Sequence, residues 1–414
     1  MIKRVKGFKD ILHSEAKLRE KIILKAIDLF EKNGFKELQT PILEKTELFV
    51  RSIGDTTDIV QKEMFTFEDK GGELLTLRPE GTAGVVRAFI ENSLFQEGKI
   101  QKIYYFGPMF RRERPQKGRL RQFNQIGIEC FGSTSPLTDA HIIFLLYELL
   151  KRVKVKNIEI HINSIGCKNC RPVYQKNLVE FLKKHENNLC KDCSQRLNKN
   201  PLRVLDCKNE NCKEIIQNSP KIIDYLCTSC KEHFNMVKNF LNYFKVEFIE
   251  NPFIVRGLDY YTKTVFEAIS SDLGGQNAVG AGGRYDSLVN DIGGKDIPGI
   301  GFAVGVERIL LLTEEEVGER FPDVFLIMLG EGSYKKGFEI YNKLIDEGFY
   351  VEFDYEMDKL KKQLKKADKL NAKYSLIIGE DEVKRGMAIL RNMENGSQEN
   401  LNFQEIPKKL RSLL

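Results

Sequence analysis

At 414 residues the chain is too long for one ordinary hydrophobic core and predicts two or three domains. Hydrophobic residues make up 42% and charged residues 30%, an ordinary globular mixture. No run of about 18 apolar residues exists and the N-terminus MIKRVKGFKDIL lacks the apolar stretch of a signal peptide, so membrane spanning and secretion are disfavoured and a cytoplasmic protein is expected. A net charge of +6 suits an acidic partner such as RNA but does not identify one.

Residues 14–33 read as a helix: Ser14 stands where a cap is wanted, Ala16, Ile22, Ile23, Ala26, Ile27 and Phe30 recur at helical spacing, and Asn33-Gly34 is a stop. A short strand is expected over 35–41, ending at Pro41. Residues 64–67 and 73–77 form a predicted hairpin around the turn 69–72. Pro79 stops its second strand and 82–91 has helical character. Glu80 therefore lies between a strand end and a helix start, where a carboxylate either receives a ligand's ammonium or simply favours the helix N-terminus.

The most informative stretch is YYFGPMFRRERPQKGRLRQFNQIGIECFG, residues 104–132. Two runs rich in aromatic and β-branched residues, 103–110 and 123–131, flank a long basic loop. Arg111, Arg112, Arg114, Arg119 and Arg121 fall there with Lys117, and Glu113 is the one acid among them, so the loop suits phosphates. Gln125 and Glu129, four apart on a strand, leave the same face, and a buried carboxylate there needs a cationic partner.

Further along, 139–152 reads as a helix and 158–162 as a strand. From 167 to 245 the texture turns Lys-, Asn- and Cys-rich, with helical periods over 173–184 and 222–241 broken by Pro201 and Pro220; this predicts a helical insertion. Strands return over 248–255, 260–269 and the Gly-rich AVGAGGRYD. A second boundary is expected near Phe321-Pro322, giving domains 1–321 and 322–414. Beyond it strand and helix alternate, which is the pattern of a small α/β domain with a largely parallel sheet.

Eight of nine cysteines occur as pairs in the insertion: Cys167 and Cys170, Cys190 and Cys193, Cys207 and Cys212, Cys227 and Cys230. Such spacings suit two tetrahedral zinc sites held by thiolates, though the spacing does not say which pairs join. Disulfides are disfavoured in a reducing cytoplasm, and reduced buried thiols are the remaining reading. Cys130 is expected to be a small core residue. The five histidines, His13, His141, His161, His185 and His233, lie outside the motifs and are expected to be structural or exposed.

FRRERPQKGRLRQFNQ resembles motif 2 of the class II aminoacyl-tRNA synthetases in its histidyl form. The resemblance continues in the family's order through TLRPEGT (76–82), VRGLDYYTKTVFE (255–267), AGGRYDSL (281–288) and GIGFAVGVERIL (299–310). It implies an α+β fold: an antiparallel-sheet catalytic domain carrying the helical insertion, followed by an anticodon-binding α/β domain. It also implies a homodimer, with the residues around Pro41 at its interface. The implied reaction joins L-histidine to tRNA(His) through a histidyl-adenylate, using ATP and Mg2+.

By resemblance, Arg111, Arg256 and Arg308 are the catalytic arginines that grip ATP phosphates, with Arg119 also near ATP. Glu80, Thr82 and Gln125 would take the substrate's amino group, Glu129 and Tyr261 would reach its imidazole, and Tyr260 and Tyr285 would line the pocket. Zinc, if held, would be structural. Taken singly, Arg256 and Arg308 are better explained as ion-pair partners of Asp259 and Glu307; their presence together with Arg111 in three separate motifs reverses that preference. Gly282, Gly283, Gly299, Gly301 and Gly305 are expected to let backbone approach substrate, and they form neither a P-loop nor a dinucleotide fingerprint. The rival is the catalytically inert paralogue that regulates ATP phosphoribosyltransferase, against which stand Arg256, Tyr260, Tyr261 and the residues after Pro322. A stand-alone RNA-binding protein would have no need of Glu80, Gln125 and Glu129.

Overall fold

The strands Gln101–Phe110 and Gln122–Phe131 pair along their whole length, from Gln101 opposite Phe131 to Phe110 opposite Gln122, and so hold the basic loop 111–121 at their end. In this computed structural model, which describes residues 1–414 except 56 and 274–276 and only the backbone of Asn198, they lie within an eight-stranded sheet. Gly299–Gly305 pairs beside them, then Ala278–Arg284, Thr262–Ser270 and Ile158–Ser164, all antiparallel. The two edges are parallel pairs made by very short strands, Lys36–Glu37 and Ile249–Glu250.

Strand alternation divides the sheet into a packing face and a working face. Ile126, Ile128 and Cys130 point into a core with Phe302 and Val304, closed by helices His13–Lys32, Pro136–Arg152 and Thr228–Tyr243. The opposite positions, Gln125, Glu129 and Phe131, share the other face with Tyr105, Val265, Tyr261 and Tyr285, over which the insertion packs. Below the hairpin's loop, the three-stranded sheet Leu43–Lys45, Leu74–Leu77 and Phe65–Glu68 leads into helix Thr82–Glu91, which begins where the sequence predicts.

Four local expectations change. Ser14 lies inside the first turn, and the helix starts after an extended Leu12 without a side-chain cap. The periodic stretch 222–241 breaks into a 3-10 turn, Ile222–Tyr225, and helix Thr228–Tyr243, because the backbone is extended at Cys227 where it joins a cysteine cluster. Of 35–41 and 248–255 only two residues each join the ladder, and Pro41 and Pro252, lacking an N–H donor, follow closely where the chain leaves it.

The chain divides into two compact units, Met1–Val317 and Gly318–Leu414. The second unit has its own core, including Leu326, Leu344, Leu376 and Leu410. Its sheet runs Val351–Phe353, Val324–Leu329, Tyr374–Gly379, Met387–Asn392, Gln398–Asn402. The first three strands are parallel, but the last two run antiparallel, so the sheet is mixed and not largely parallel. The reversal follows from the short helix Glu380–Arg385, which ends at Gly386 in a left-handed conformation, φ 71°, and returns the chain beside the strand it left. Among the described residues no helix is long and apolar enough to cross a membrane.

Candidate active site

A cleft of about 730 Å3 opens on the working face of the first unit. Arg111, Arg119, Arg256, Arg308 and Gln125 all line it, so five of the expected residues converge there from three separate motifs. Arg111 stands just past its strand end, donating from Nε to the Pro79 carbonyl at 2.9 Å and lying 5.4 Å over the Phe123 ring. Arg119 reaches across the loop to Glu113 at 2.5 Å, and the same carboxylate is 3.8 Å from Arg111.

Arg308 emerges in helix Val306–Leu312 and donates to the carbonyls of Gly118 and Ala278. Burial, with Arg119 nearby, pushes its guanidinium down to about 10. A cation that is destabilised in this way is a site for an anion. The pairing with Glu307 suggested by sequence does not occur; Glu307 instead accepts from the backbone and side-chain amides of Asn124 at 2.9 and 2.7 Å. Arg256 pairs with Glu267, and its guanidinium lies 5.8 Å over the Tyr261 ring. Its Nε is buried without a hydrogen-bond partner, as is the side-chain oxygen of Gln125. Both are polar atoms that a ligand in the cleft would satisfy.

Behind the cleft lies a second, more enclosed group. Glu129 is 1% exposed, accepts from Thr82 Oγ1 at 2.7 Å and from the Tyr285 hydroxyl, and is pushed up to about 8, chiefly by burial. Glu80 is also buried and raised for the same reason, and its oxygens accept from the N–H groups of Thr82 and Ala83 at 2.7 and 2.8 Å. Glu80 thus does stabilise the N-terminus of its helix. Two buried carboxylates joined through Thr82, with no cation paired to Glu129 among the described residues, make a pocket that gains free energy when a cation enters. Tyr260, Tyr261 and Tyr285 wall it with ring centroids 4.5 to 6.5 Å apart.

Two of the motif glycines, Gly299 and Gly301, also clear space within the protein itself. A Cβ at Gly301 would come 1.8 Å from Glu129 Oε2 and 2.3 Å from the Ile128 carbonyl, and one at Gly299 would meet the Tyr285 ring at 2.2 Å. They make room for pocket side chains on the neighbouring strand. Beneath Tyr285, the fully buried Arg284 pairs with Asp139, which also accepts from His233 at 2.8 Å. This triad ties the strand to helices Pro136–Arg152 and Thr228–Tyr243. It gives His233 the structural role expected of the histidines, and Cys130 is a buried core residue.

The eight paired cysteines gather into two groups of four: Cys167, Cys170, Cys227 and Cys230, and Cys190, Cys193, Cys207 and Cys212. Within the first, Sγ separations include 3.7, 3.9 and 4.0 Å, and in the second Cys190 and Cys207 are 3.8 Å apart. A tetrahedral ion with bonds of about 2.3 Å to sulfur sets edges of ~3.8 Å, so both groups have the dimensions of a tetrathiolate centre. Backbone amides point at the sulfurs, among them Cys167 N–H to Cys170 at 3.1 Å and Cys190 N–H to Cys212 at 3.2 Å, as thiolate ligands require.

Residues of the cleft that sequence reasoning passed over are Asp58, Arg196 and Arg203, with the acceptors Glu113 and Glu267. Arg196 and Arg203 come from the insertion and both bond Asp58, at 3.0 and 3.1 Å. In a Lys-rich segment two arginines carry no spacing signal. Only their position between Cys193 and Cys207 distinguishes them.

Comparison with known proteins agrees with this geometry. A family model described as histidyl-tRNA synthetase matches residues 7–309, and one described as an anticodon binding domain matches 323–413. A histidine–tRNA ligase of Trichlorobacter lovleyi is 49% identical over 97% of this chain and 96% of its own length. One of Halothermothrix orenii is 46% identical over 100% of both. The apo histidyl-tRNA synthetase of S. aureus superposes with a TM-score of 0.82 at 33% identity, over 99% of this chain and 100% of that one. A protein of Bacillus halodurans described as an ATP phosphoribosyltransferase regulatory subunit/histidyl-tRNA synthetase shares the fold at 20% identity, with a TM-score of 0.66 over 92% of this chain and 98% of its own. The chain belongs to the histidyl-tRNA synthetase family, with a class II catalytic unit and a C-terminal anticodon-binding α/β domain.

Proposed function

We propose that this chain ligates L-histidine to tRNA(His) in two steps. A carboxylate oxygen of histidine attacks the α-phosphorus of ATP, the bond to the β-phosphate bridge breaks, and diphosphate leaves. A terminal ribose hydroxyl of the tRNA then loses its proton and attacks the acyl carbon, and AMP departs. The observation that carries this reading is the adjacency of an anion site built from Arg111, Arg119, Arg256 and Arg308 to a cation-seeking pocket built from Glu80 and Glu129.

Phosphoryl transfer of this kind needs charge stabilisation and alignment more than covalent help. Arg111 and Arg308 hold the ATP phosphates, and Arg256 stabilises the charge that grows on the α-phosphate. Arg119, also lining the cleft, meets ATP or the acceptor end of the tRNA. Glu80, Thr82 and Gln125 receive the ammonium, and the unpartnered oxygen of Gln125 supports that role. Glu129 and Tyr261 meet the imidazole, with Tyr260 and Tyr285 as walls. ATP arrives with Mg2+, and Glu113 and Glu267 are among the carboxylates that line the cleft.

Four finer assignments belong to the same reading. The two tetrathiolate groups hold structural Zn2+, supported by their sulfur spacings and the free state of all nine thiols, which also suits the cytoplasm. The chain acts as a homodimer through the face around the three-stranded sheet, where Ile42, Leu43, Phe67 and Leu74 are 39 to 53% exposed. Residues 1–321, with the insertion 167–245, catalyse, and 322–414 read the anticodon. A regulatory paralogue without chemistry has no use for the cleft arginines, and all of them are in place.

The test is ATP–diphosphate exchange on the purified chain with each of the twenty amino acids. Exchange with histidine alone is expected; no exchange from folded protein would remove the enzymatic reading and leave the regulatory one.

A further inference from the structure

The second cysteine group is not remote from the chemistry. Cys190 and Cys207 line the same cleft as Arg111, Arg256 and Arg308. Between these cysteines run helix Lys191–Lys199, which carries Arg196, and the turn Pro201–Asp206, which carries Arg203. Both guanidiniums close on one carboxylate oxygen of Asp58. From its other nitrogen Arg203 donates to the backbone carbonyl of Arg256 at 3.4 Å, and it packs so closely on Gly257 that a Cβ there would lie 3.0 Å from it.

Asp58 in turn leads directly into the turn Ile59–Glu63, whose last carbonyl accepts from the backbone N–H of Arg112 at 2.7 Å, one residue from Arg111. One chain of contacts therefore runs from the cysteine group through Arg203 and Asp58 to the backbone of Arg256 and to the residue after Arg111. The ends of the 23-residue stretch from Cys190 to Cys212 are gathered by the four sulfurs, so the loop that presents Arg196 and Arg203 is closed at its base. Closing such a loop removes conformational freedom that the two arginines would otherwise lose on docking.

We propose that the Cys190/Cys193/Cys207/Cys212 centre, closed on one zinc ion, is a positioning device of the adenylation site, acting through the Arg196/Arg203 clamp on Asp58 to fix the Arg256 backbone. This rests on the reading of the cleft as an adenylation site. Asp58, Arg196 and Arg203 are positioning residues; none of them is assigned a contact with the reacting atoms. A purely fold-stabilising metal would change the melting temperature and leave the kinetics of the surviving folded protein alone. A positioning device changes kcat in protein that still holds its metal.

The experiment uses the full chain and compares wild type with Asp58→Asn, Arg203→Gln, Arg203→Lys, Cys207→Ser and the pair Asp58→Asn/Arg203→Gln. Histidine-dependent exchange is measured together with zinc content. Wild type and the first three variants are expected to hold two zinc ions per chain, one for each cysteine group. Asp58→Asn and Arg203→Gln should each lower kcat about tenfold or more with the KM for histidine little changed, because small displacements of an aligning group are costly. Arg203→Lys should recover part of the loss. The pair should be no slower than the slower single variant, as contacts in one bridge are not additive. Cys207→Ser should lose one zinc and show a similar fall in kcat. Wild-type kcat in Asp58→Asn and Arg203→Gln, or losses that multiply in the pair, overturns the clamp; a chain that takes up no zinc overturns the metal's part in it. No exchange from wild type overturns the adenylation reading itself and this proposal with it, so the two failures are distinguishable.

Discussion

Glu129 holds its proton to about pH 8 because the folded chain buries it beside Glu80, while Thr82 and Tyr285 only partly compensate. Its folded value lies above the unfolded one, so between these two values the unfolded chain has already released a proton that the folded chain keeps, and stability falls as pH rises through that window. Glu129→Gln has no proton to lose. In the absence of ligand its unfolding midpoint should therefore gain on wild type as pH is raised from about 5 to about 8, and a pH-independent difference would contradict the burial argument. The same substitution should cost histidine activation about 10- to 100-fold in kcat/KM, the worth of one charge-assisted hydrogen bond. Arg256 is the second residue where one side chain decides an outcome. Its loss should slow adenylate formation by about 10²- to 10³-fold, as for other groups that meet charge developing in a transition state, while tRNA binding stays near wild type. Single-turnover adenylation and a filter-binding titration separate the two effects.

At the scale of elements, what the sequence made legible was whatever depends on neighbours along the chain. The hairpin around residues 111–121 and helix Thr82–Glu91 follow from alternation and punctuation, and the structure forms both within two residues of expectation. The strand Gln398–Asn402 was illegible because QENLN offers no apolar alternation; it exists only because Met387–Asn392 lies ready to pair with it. The site divides in the same way. Arg111, Arg256, Arg308 and Gln125 stand in motifs, whereas Arg203 and Asp58 meet across 145 residues through a fold that no spacing encodes. Asp139 is a third example, a polar residue near the start of a helix that becomes the fully buried carboxylate joining Arg284 to His233. Burial disfavours its charge, but Arg284 and His233 outweigh that and hold its carboxyl below the usual range. Asp139→Ala would leave the Arg284 cation buried, with only Asp286 at the margin of the site, and should destabilise the first unit by about 3–5 kcal/mol. Urea unfolding followed at equilibrium measures this; a change below about 1 kcal/mol would mean that the buried pair contributes little beyond what a packed apolar group would.

For the whole molecule, the division into Met1–Val317 and Gly318–Leu414 separates two kinds of chemistry. Every residue assigned to ATP or histidine lies in the first unit, and so do both cysteine groups. The second unit carries a separate apolar core around Leu326 and Leu376 and an exposed basic helix, Leu360–Lys369, with five lysines in ten residues. Adenylation needs only the first, whereas charging needs the tRNA to be held long enough for acyl transfer. A chain ending at Val317 should therefore fold and retain histidine-dependent exchange within about tenfold of the full chain, as expected of a domain with its own core. Its aminoacylation of tRNA(His) should fall by at least ~100-fold, since the loss of even ~3 kcal/mol of RNA contact has that effect. The fall should be seen in KM for tRNA and should deepen as salt is raised, because the remaining contacts are to phosphates. Equal loss of exchange and aminoacylation would instead mean that the second unit supports the catalytic fold, and that reading the anticodon is not its main contribution.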